Sequence, residues 1–325
     1  MKKHFKKLLL MALMAVMAVG LIACGTDKSD NESTKEEKTS VTITSLDSSK
    51  NEIELEVPYN PKRIAILDLA SLDIIDELGV GDRVVGMAST SIDYLEKYSN
   101  ASSIKNLGTI KEADLEAVME CEPDIIFIGG RLSKSYDALS EIAPVVYLAT
   151  DTNEGLVNSV SKNAKTIASI FGMEDKVDSL MSDFGARIDA IKKISSGKTA
   201  LVGMTTSGSF NLLGNDGRCS LIGVEAGFNN LTAAGSTSTH GNESSFETVV
   251  QQNPDYIFVM DRDSAISTAG AKTAKEIVEN ELVKTTDAYK NNHIIYLEHS
   301  NVWYTAEGGI QALDIMLTDL EKGLK

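Results

Sequence analysis

Six arginines stand against 25 lysines in this chain, at positions 63, 83, 131, 187, 218 and 262. Two of them, Arg131 and Arg262, hold equivalent places in an internal repeat. Residues 114–131 (DLEAVMECEPDIIFIGGR) align without a gap on residues 245–262 (SFETVVQQNPDYIFVMDR), at a constant offset of 131 and with 7 identities in 18. A guanidinium stays charged and donates in a fixed planar fork, which suits flat, oxygen-rich anions. The chain as a whole carries −16, so its mean field repels anions. An anionic ligand therefore needs such local positive charge. In open α/β sheets, ligands sit beyond the carboxyl ends of the strands. Each arginine follows an apolar, strand-like run, so two facing copies would bring both guanidiniums into one cleft.

The elements that must position them can be read from the same repeat. Asp114 and Ser245 are good N-caps for short amphipathic helices. Pro123 and Pro254 end those helices, because the residue before a proline is pushed out of the α region. A strand follows in each copy, and the runs 144–148 and 293–297 supply a further strand after each unit. Residues 41–46 and 53–57 alternate with period 2 around a polar turn and predict a hairpin. Residues 63–67 predict a buried strand, 71–78 a helix stopped by Gly79, and 84–86 another strand. Alternating strands and helices predict parallel sheets. Between the copies, Met173, Val177, Leu180, Met181, Phe184, Ile188 and Ile191 keep helical spacing. They predict one connecting helix over 174–194, about 30 Å long at 1.5 Å per residue. The expected fold is α/β: two Rossmann-like lobes, 41–173 and 196–325, joined by one long backbone helix within 174–195, with the ligand cleft between them.

Composition agrees with a globular body. Of 325 residues, 42% are hydrophobic and 24% charged, too much apolar residue for a disordered chain. The acidic balance argues against nucleic acid as a partner. At the N-terminus, Lys2, Lys3, Lys6 and Lys7 precede an apolar run from Leu8 to Ala23, short for a membrane span but suited to a signal peptide over 1–23. The run closes on Leu21-Ile22-Ala23-Cys24-Gly25, which resembles the bacterial lipobox, with Cys24 as the lipidated residue. Residues 24–40 then read as a lipid-anchored flexible tether, since 25–40 contain no hydrophobic residue. Cleavage removes four lysines and no acid, leaving 27 basic against 47 acidic residues, or −20. Cys121 and Cys219 fall in different lobes and are expected to be unpaired, partly buried thiols.

A lipobox, a polar tether and two repeated α/β lobes joined by a helix resemble the helical-backbone class of ABC-transporter substrate-binding proteins. Asn60-Pro61-Lys62-Arg63-Ile64-Ala65-Ile66-Leu67 and Leu78-Gly79-Val80 look like the opening of that class. Gly130-Arg131-Leu132, Asp216-Gly217-Arg218, Ser238-Thr239-His240-Gly241, Asp261-Arg262 and Trp303-Tyr304 narrow the resemblance to binding lipoproteins for ferric catecholate siderophores, of the enterobactin/petrobactin kind. The resemblance implies Arg218 as a third ligand-binding arginine and adds Trp303 to the cleft. It also implies that His240 and Tyr304 bond Fe³⁺ directly when a tetradentate siderophore leaves two coordination positions empty. A hard ferric ion prefers oxygen and accepts imidazole. Glu116 and Glu247 would pair with arginines of the permease. Two departures bear on pocket shape. Cys219-Ser220 follows Arg218 where the family usually has an aromatic residue and Gly, and Thr305-Ala306-Glu307 replaces a Ser/Gly-rich turn, with Glu307 adding negative charge.

The expectation is thus a monomeric extracytoplasmic lipoprotein, anchored at the cell membrane, that captures a ferric siderophore and delivers it to an ABC permease and its ATPase, with no intrinsic cofactor. The alternative is a cobalamin or haem receptor of a related importer. A Zn/Mn receptor is disfavoured, because three arginines would not greet a bare cation. An exported enzyme is disfavoured by the lack of a G-x-S-x-G elbow, an H-E-x-x-H pair and a GxxxxGK loop. His293 and His299 read as structural, at the start and end of a strand.

Overall fold

The computed structural model describes residues 38–234 and 237–325. The expected signal peptide, Cys24 and the expected tether up to residue 37 lie outside the described residues. Among the described residues no helix is long and apolar enough to cross a membrane.

The chain opens with the expected antiparallel hairpin, β1 (Ser40–Leu46) and β2 (Glu52–Pro58). A first, all-parallel sheet follows. Its strands are β3 (Ile64–Leu67), β4 (Val84–Met87), β5 (Lys105–Asn106), β6 (Ile125–Ile128) and β7 (Val145–Tyr147), in the order β5-β4-β3-β6-β7. The second sheet contains β8 (Thr199–Thr206), β9 (Ser209–Leu212), β10 (Asn229–Asn230), β11 (Asn242–Glu243), β12 (Tyr256–Asp261) and β13 (Ile294–Tyr296). Its path is β11-β9-β8-β12-β13, with β10 on β8. Here the expectation of parallel strands holds for β8, β10, β12 and β13, whereas the two-residue Ser207-Gly208 turn folds β9 back antiparallel on β8 and β11 pairs antiparallel with β9.

Both repeat copies fold alike. The Asp114 carboxylate accepts the Ala117 N–H at the start of the Leu115–Glu120 helix, and Ser245 Oγ accepts the Thr248 N–H at the start of the Phe246–Gln252 helix. The shared Asp that follows each proline also has a function. Asp124 accepts the N–H groups of Lys62 and Arg63 at 2.7 and 2.9 Å, and Asp255 that of Thr199 at 2.8 Å. Each fixes the entry of the neighbouring central strand.

Strand side chains alternate between two environments, as period 2 requires. Ile64 and Ile66 of β3, and Phe258 and Met260 of β12, enter one continuous core that runs through both lobes and includes Ile167, Leu313 and Leu317. Ala65, Leu67, Ile126 and Ile128 face a core private to the first lobe, and Leu201, Ile257 and Val259 one private to the second. Because both faces are covered, the central strands β3 and β6 are apolar throughout and β12 up to Asp261.

The single connecting helix expected over 174–194 is instead two helices, Glu174–Leu180 and Phe184–Ser195. The break falls at Ser182-Asp183, residues that compete with the helical ladder for backbone partners. Ser182 Oγ donates to Ser179 O at 2.9 Å, closing the first helix. The lobes are held by other means. The Ile310–Gly323 helix starts at Gly309, which has no side chain to cap it, and Asp73 of the first lobe takes that place. Asp73 accepts the Gln311 and Ala312 N–H groups at 2.9 Å each. In reverse, Glu225 of the second lobe accepts the Val157 N–H at 3.2 Å, where Gly155 opens the Leu156–Phe171 helix. Arg187 adds a fork from the Phe184–Ser195 helix to Asp314 and Glu321 on the last helix, at 2.5 and 2.7 Å.

Candidate functional site

Three of the six arginines are used in the framework. Arg63 donates to the carbonyl oxygens of Cys121 and Glu122, Arg83 to Asn60 and Pro61, and Arg187 to the last helix. The other three, Arg131, Arg218 and Arg262, converge on the ring of Tyr304. Their guanidinium carbons lie 5.5, 4.5 and 5.7 Å from its centroid.

Each is placed by local structure. Arg131 sits just past the end of β6, after Gly129 and Gly130. A Cβ at position 129 would collide with the Asp68 carboxylate, so glycine is needed there. Arg262 follows the last residue of β12, where Asp261 caps the next helical turn by accepting the Ser264 N–H at 3.0 Å. Both repeat arginines thus stand at the carboxyl ends of parallel strands, one per lobe. Arg218 projects from the 214–218 turn, held by Asp216, which accepts the Thr237 N–H at 2.8 Å. Cys219 behind it is buried with φ +61°, and Arg218 Nη1 donates to Thr239 O at 2.8 Å.

Of the two hydrogen bonds to Tyr304, the one from Arg131 crosses the lobes. Arg131 Nη2 donates to the Tyr304 carbonyl at 2.9 Å, and Arg262 Nε to the Tyr304 hydroxyl at 3.3 Å. Burial works to raise the phenol pKa, but the Arg262 bond and the three cations outweigh it and hold Tyr304 below the usual tyrosine range. Lost hydration, then the Arg218 charge, hold Arg131 below its ordinary value. Arg262 shifts the other way. Its own burial would lower it, but Tyr304 and Asp263 more than compensate.

A cavity of about 670 Å³ opens beside this cluster, between the lobes. Arg131, Arg218, Tyr304, Glu307 and Tyr147 are among its walls; Arg262 is not, and meets the cluster through the Tyr304 ring. Glu307 Oε1 accepts the Cys219 N–H at 3.0 Å.

His240 is exposed and does not line the cavity. Its backbone carbonyl is tied by Asn211 at 2.8 Å. Partial burial and the fields of Arg262, Arg218 and Lys111 keep its ring neutral to lower pH than an ordinary histidine. Trp303 is a correction. It is 0% exposed, packs in the shared core and donates Nε1 to Asp319 at 2.9 Å. Successive residues on a helix point about 100° apart, so Tyr304 and Trp303 of the Ser300–Thr305 helix cannot share a face. Tyr304 takes the cleft and Trp303 the core. Glu116 and Glu247 are both exposed in the first turns of the repeated helices, and Glu116 is flanked by Leu115 and Met119, 38% and 60% exposed. Cys121 and Cys219 are unpaired and buried, His293 stacks on Tyr256 at 4.2 Å, and His299 Nδ1 pairs with Asp319 at 2.7 Å.

Sequence reasoning missed Asp73, Glu225 and Asp319. Two helices opening on glycine could have signalled caps supplied from elsewhere. Asp319 lies on the apolar face of the last helix, which is itself a signal of a buried partner.

Two α/β lobes that share a core and enclose a polar cavity at their strand ends define a binding protein, and the chain belongs to the Periplasmic binding protein family, whose model matches residues 64–300. It is 35% identical to the petrobactin-binding protein YclQ of Bacillus subtilis (strain 168), over 98% of this chain and 99% of that protein. The crystal structure of YclQ matches with a TM-score of 0.81 over 89% of this chain and 99% of that chain. The catecholate-siderophore binding protein VctP of Vibrio cholerae matches with a TM-score of 0.78 at 30% identity, over 87% of this chain and 100% of that one. The ferric-anguibactin-binding protein FatB of Vibrio anguillarum (strain ATCC 68554 / 775) is 26% identical over 82% of this chain and 84% of that protein.

Proposed function

We propose that this protein captures an anionic ferric siderophore of the catecholate type in the interlobe cavity and presents it to an ABC importer for iron uptake. The observation that carries the reading is the convergence of Arg131, Arg218 and Arg262, from both lobes, on one aromatic ring beside an open cavity. Three fixed cations in a chain of −16 select against neutral and cationic ligands. The siderophores named for its relatives YclQ and VctP fit that selection. For a tetradentate chelate, the Tyr304 phenol and the His240 imidazole complete the iron shell, His240 reaching in from outside the cavity wall, one residue beyond the Thr239 carbonyl that Arg218 holds. The acidified phenol and the neutral imidazole are the forms in which each group can donate a lone pair to iron. Anchoring through Cys24, a monomeric state, and docking on the permease through Glu116 and Glu247 belong to the same proposal.

The test is tryptophan fluorescence of the full chain in mild detergent, titrated with ferric petrobactin, ferric enterobactin, ferrichrome, haem and cyanocobalamin. Trp303 adjoins Tyr304 in sequence and reports by energy transfer to the coloured ligand. Tight quenching by the catecholates alone is expected. Tight binding of haem or cobalamin with no catecholate response would replace this reading with the alternative one.

A further inference from the structure

One wall of the cavity runs against its charge. Glu307 sits just past the Ser300–Thr305 helix, and its carboxylate lines the same space as Arg131 and Arg218. Lys50, Glu52, Tyr147, Asp151, Glu154 and Lys162 also line this cavity, and the groups set against the Glu307 carboxylate itself come from four segments. Arg131 stands beyond β6, Arg218 and Asp216 on the 214–218 turn, the buried Cys219 thiol at the start of the next helical turn, and Glu225 just after that turn. Tyr304 lies on Glu307's own side of the cavity, and Asp68 lies behind Arg131. Glu225 is itself committed. One oxygen caps the Leu156–Phe171 helix and the other is buried without a partner. The balance on Glu307 is close. Burial raises it, the Cys219 N–H and Arg218 lower it, Glu225 raises it and Arg131 lowers it, leaving it pushed up to about 7.

An incoming anion upsets this balance in one direction. It adds like charge beside the carboxylate, and it draws on the two guanidiniums that favour the ionised form. We propose that Glu307 is a specificity residue of this cavity, one that takes up a proton from solvent as an anionic chelate enters, offsetting one unit of the chelate's charge and coupling its affinity to pH. The step balances as carboxylate plus proton plus chelate giving carboxylic acid and bound chelate, the proton coming from the buffer. The Cys219 N–H remains satisfied, because a carboxylic acid still offers an acceptor oxygen. The inference rests on the anion-binding role proposed above.

The experiment is calorimetry of the full chain with preformed ferric petrobactin in buffers of different ionisation enthalpy, on the wild type, Glu307→Gln and Glu307→Asp. Glutamine keeps an acceptor for Cys219, and a matching thermal melt establishes that the variant is folded. Taking the difference between wild type and Glu307→Gln cancels proton changes on the chelate and elsewhere. At pH 7.5 the wild type should take up about 0.7 proton more than Glu307→Gln. Above pH 7 its affinity relative to that variant should fall about tenfold per pH unit. Glu307→Asp should restore the uptake. Equal proton counts and parallel pH profiles in two tightly binding proteins would overturn the inference and leave the anion-binding reading standing. Failure of the wild type to bind ferric petrobactin or any other anionic chelate would end both, and is a distinct result.

Discussion

Replacing Arg131 by Ala separates what this side chain does for the empty protein from what it does for a ligand. In the empty cleft, Arg131 and Arg218 lie 5.5 and 4.5 Å from one ring centroid, so their guanidinium carbons are no more than about 10 Å apart. At that largest spacing and an effective dielectric of about 20, two like charges repel by at least about 1.7 kcal/mol before screening by salt. Contact with the Tyr304 ring gives back about 0.5–1 kcal/mol, and the bond to the Tyr304 carbonyl about 1.5 kcal/mol. These terms nearly cancel, so Arg131→Ala should leave the stability of the empty protein within about 1 kcal/mol. An anionic ligand breaks the cancellation. Truncating one partner of a desolvated charge pair costs about 2–5 kcal/mol. Because one flank of Arg131 stays open, the lower part of that range applies, about 2–3 kcal/mol or roughly 30- to 150-fold in Kd. The assay pairs fluorescence titration with thermal melts, using anionic ferric petrobactin and the neutral chelate ferrichrome. A loss below about fivefold for the anion, or an equal loss for the neutral chelate, would refute the reasoning.

Three further outcomes are expected. Tyr304→Phe and His240→Ala should weaken tetradentate ferric catecholates and spare hexadentate ones; equal losses for both would remove the two residues from the iron shell. Asp319→Ala strands the Trp303 indole N–H and the His299 ring without their shared acceptor. It should cost about 2–4 kcal/mol of stability and move the tryptophan emission to the red, and an unchanged melt would contradict it. Asp73, raised from 3.8 to about 6 by burial, binds its proton more tightly in the folded state. Its contribution is therefore fully present below pH 3.8 and lost as pH climbs through about 6, by about 3 kcal/mol at one pKa unit per 1.36 kcal/mol. Denaturant melts from pH 4 to 7 should show that loss in the wild type and a flatter profile in Asp73→Asn; parallel profiles would exclude Asp73 as the source.

Much of this was legible in the residues. The 131-residue offset located both repeat arginines at strand ends, because N-cap, proline and apolar run each impose a local geometry that tertiary contacts had no reason to override. The hairpin and the strand at 64–67 follow from alternation and from an unbroken apolar run. The break at Ser182-Asp183 was hidden because the apolar spacing continues in phase across it, and periodicity reports which face is buried rather than whether the ladder is intact. Trp303 was misplaced because adjacency to Tyr304 in sequence says nothing of facing on a helix. Asp73 and Glu225 were invisible for another reason. Each caps a helix far away in the chain, at residues 311–312 and at residue 157, and no local pattern encodes that pairing.

That long reach has a bearing on how the molecule comes into being. Asp73 stands near the start of the fold, yet its partners come 238 and 239 residues later in the chain, and the same interior is completed by Leu313 and Leu317. A nascent chain halted after its first lobe holds a carboxylate with no helix to receive it and a sheet with one bare side. The polypeptide is thus kept from locking prematurely until the Ile310–Gly323 helix arrives, and chains cut short of residue 310 should be cleared by proteolysis rather than linger as half-built receptors.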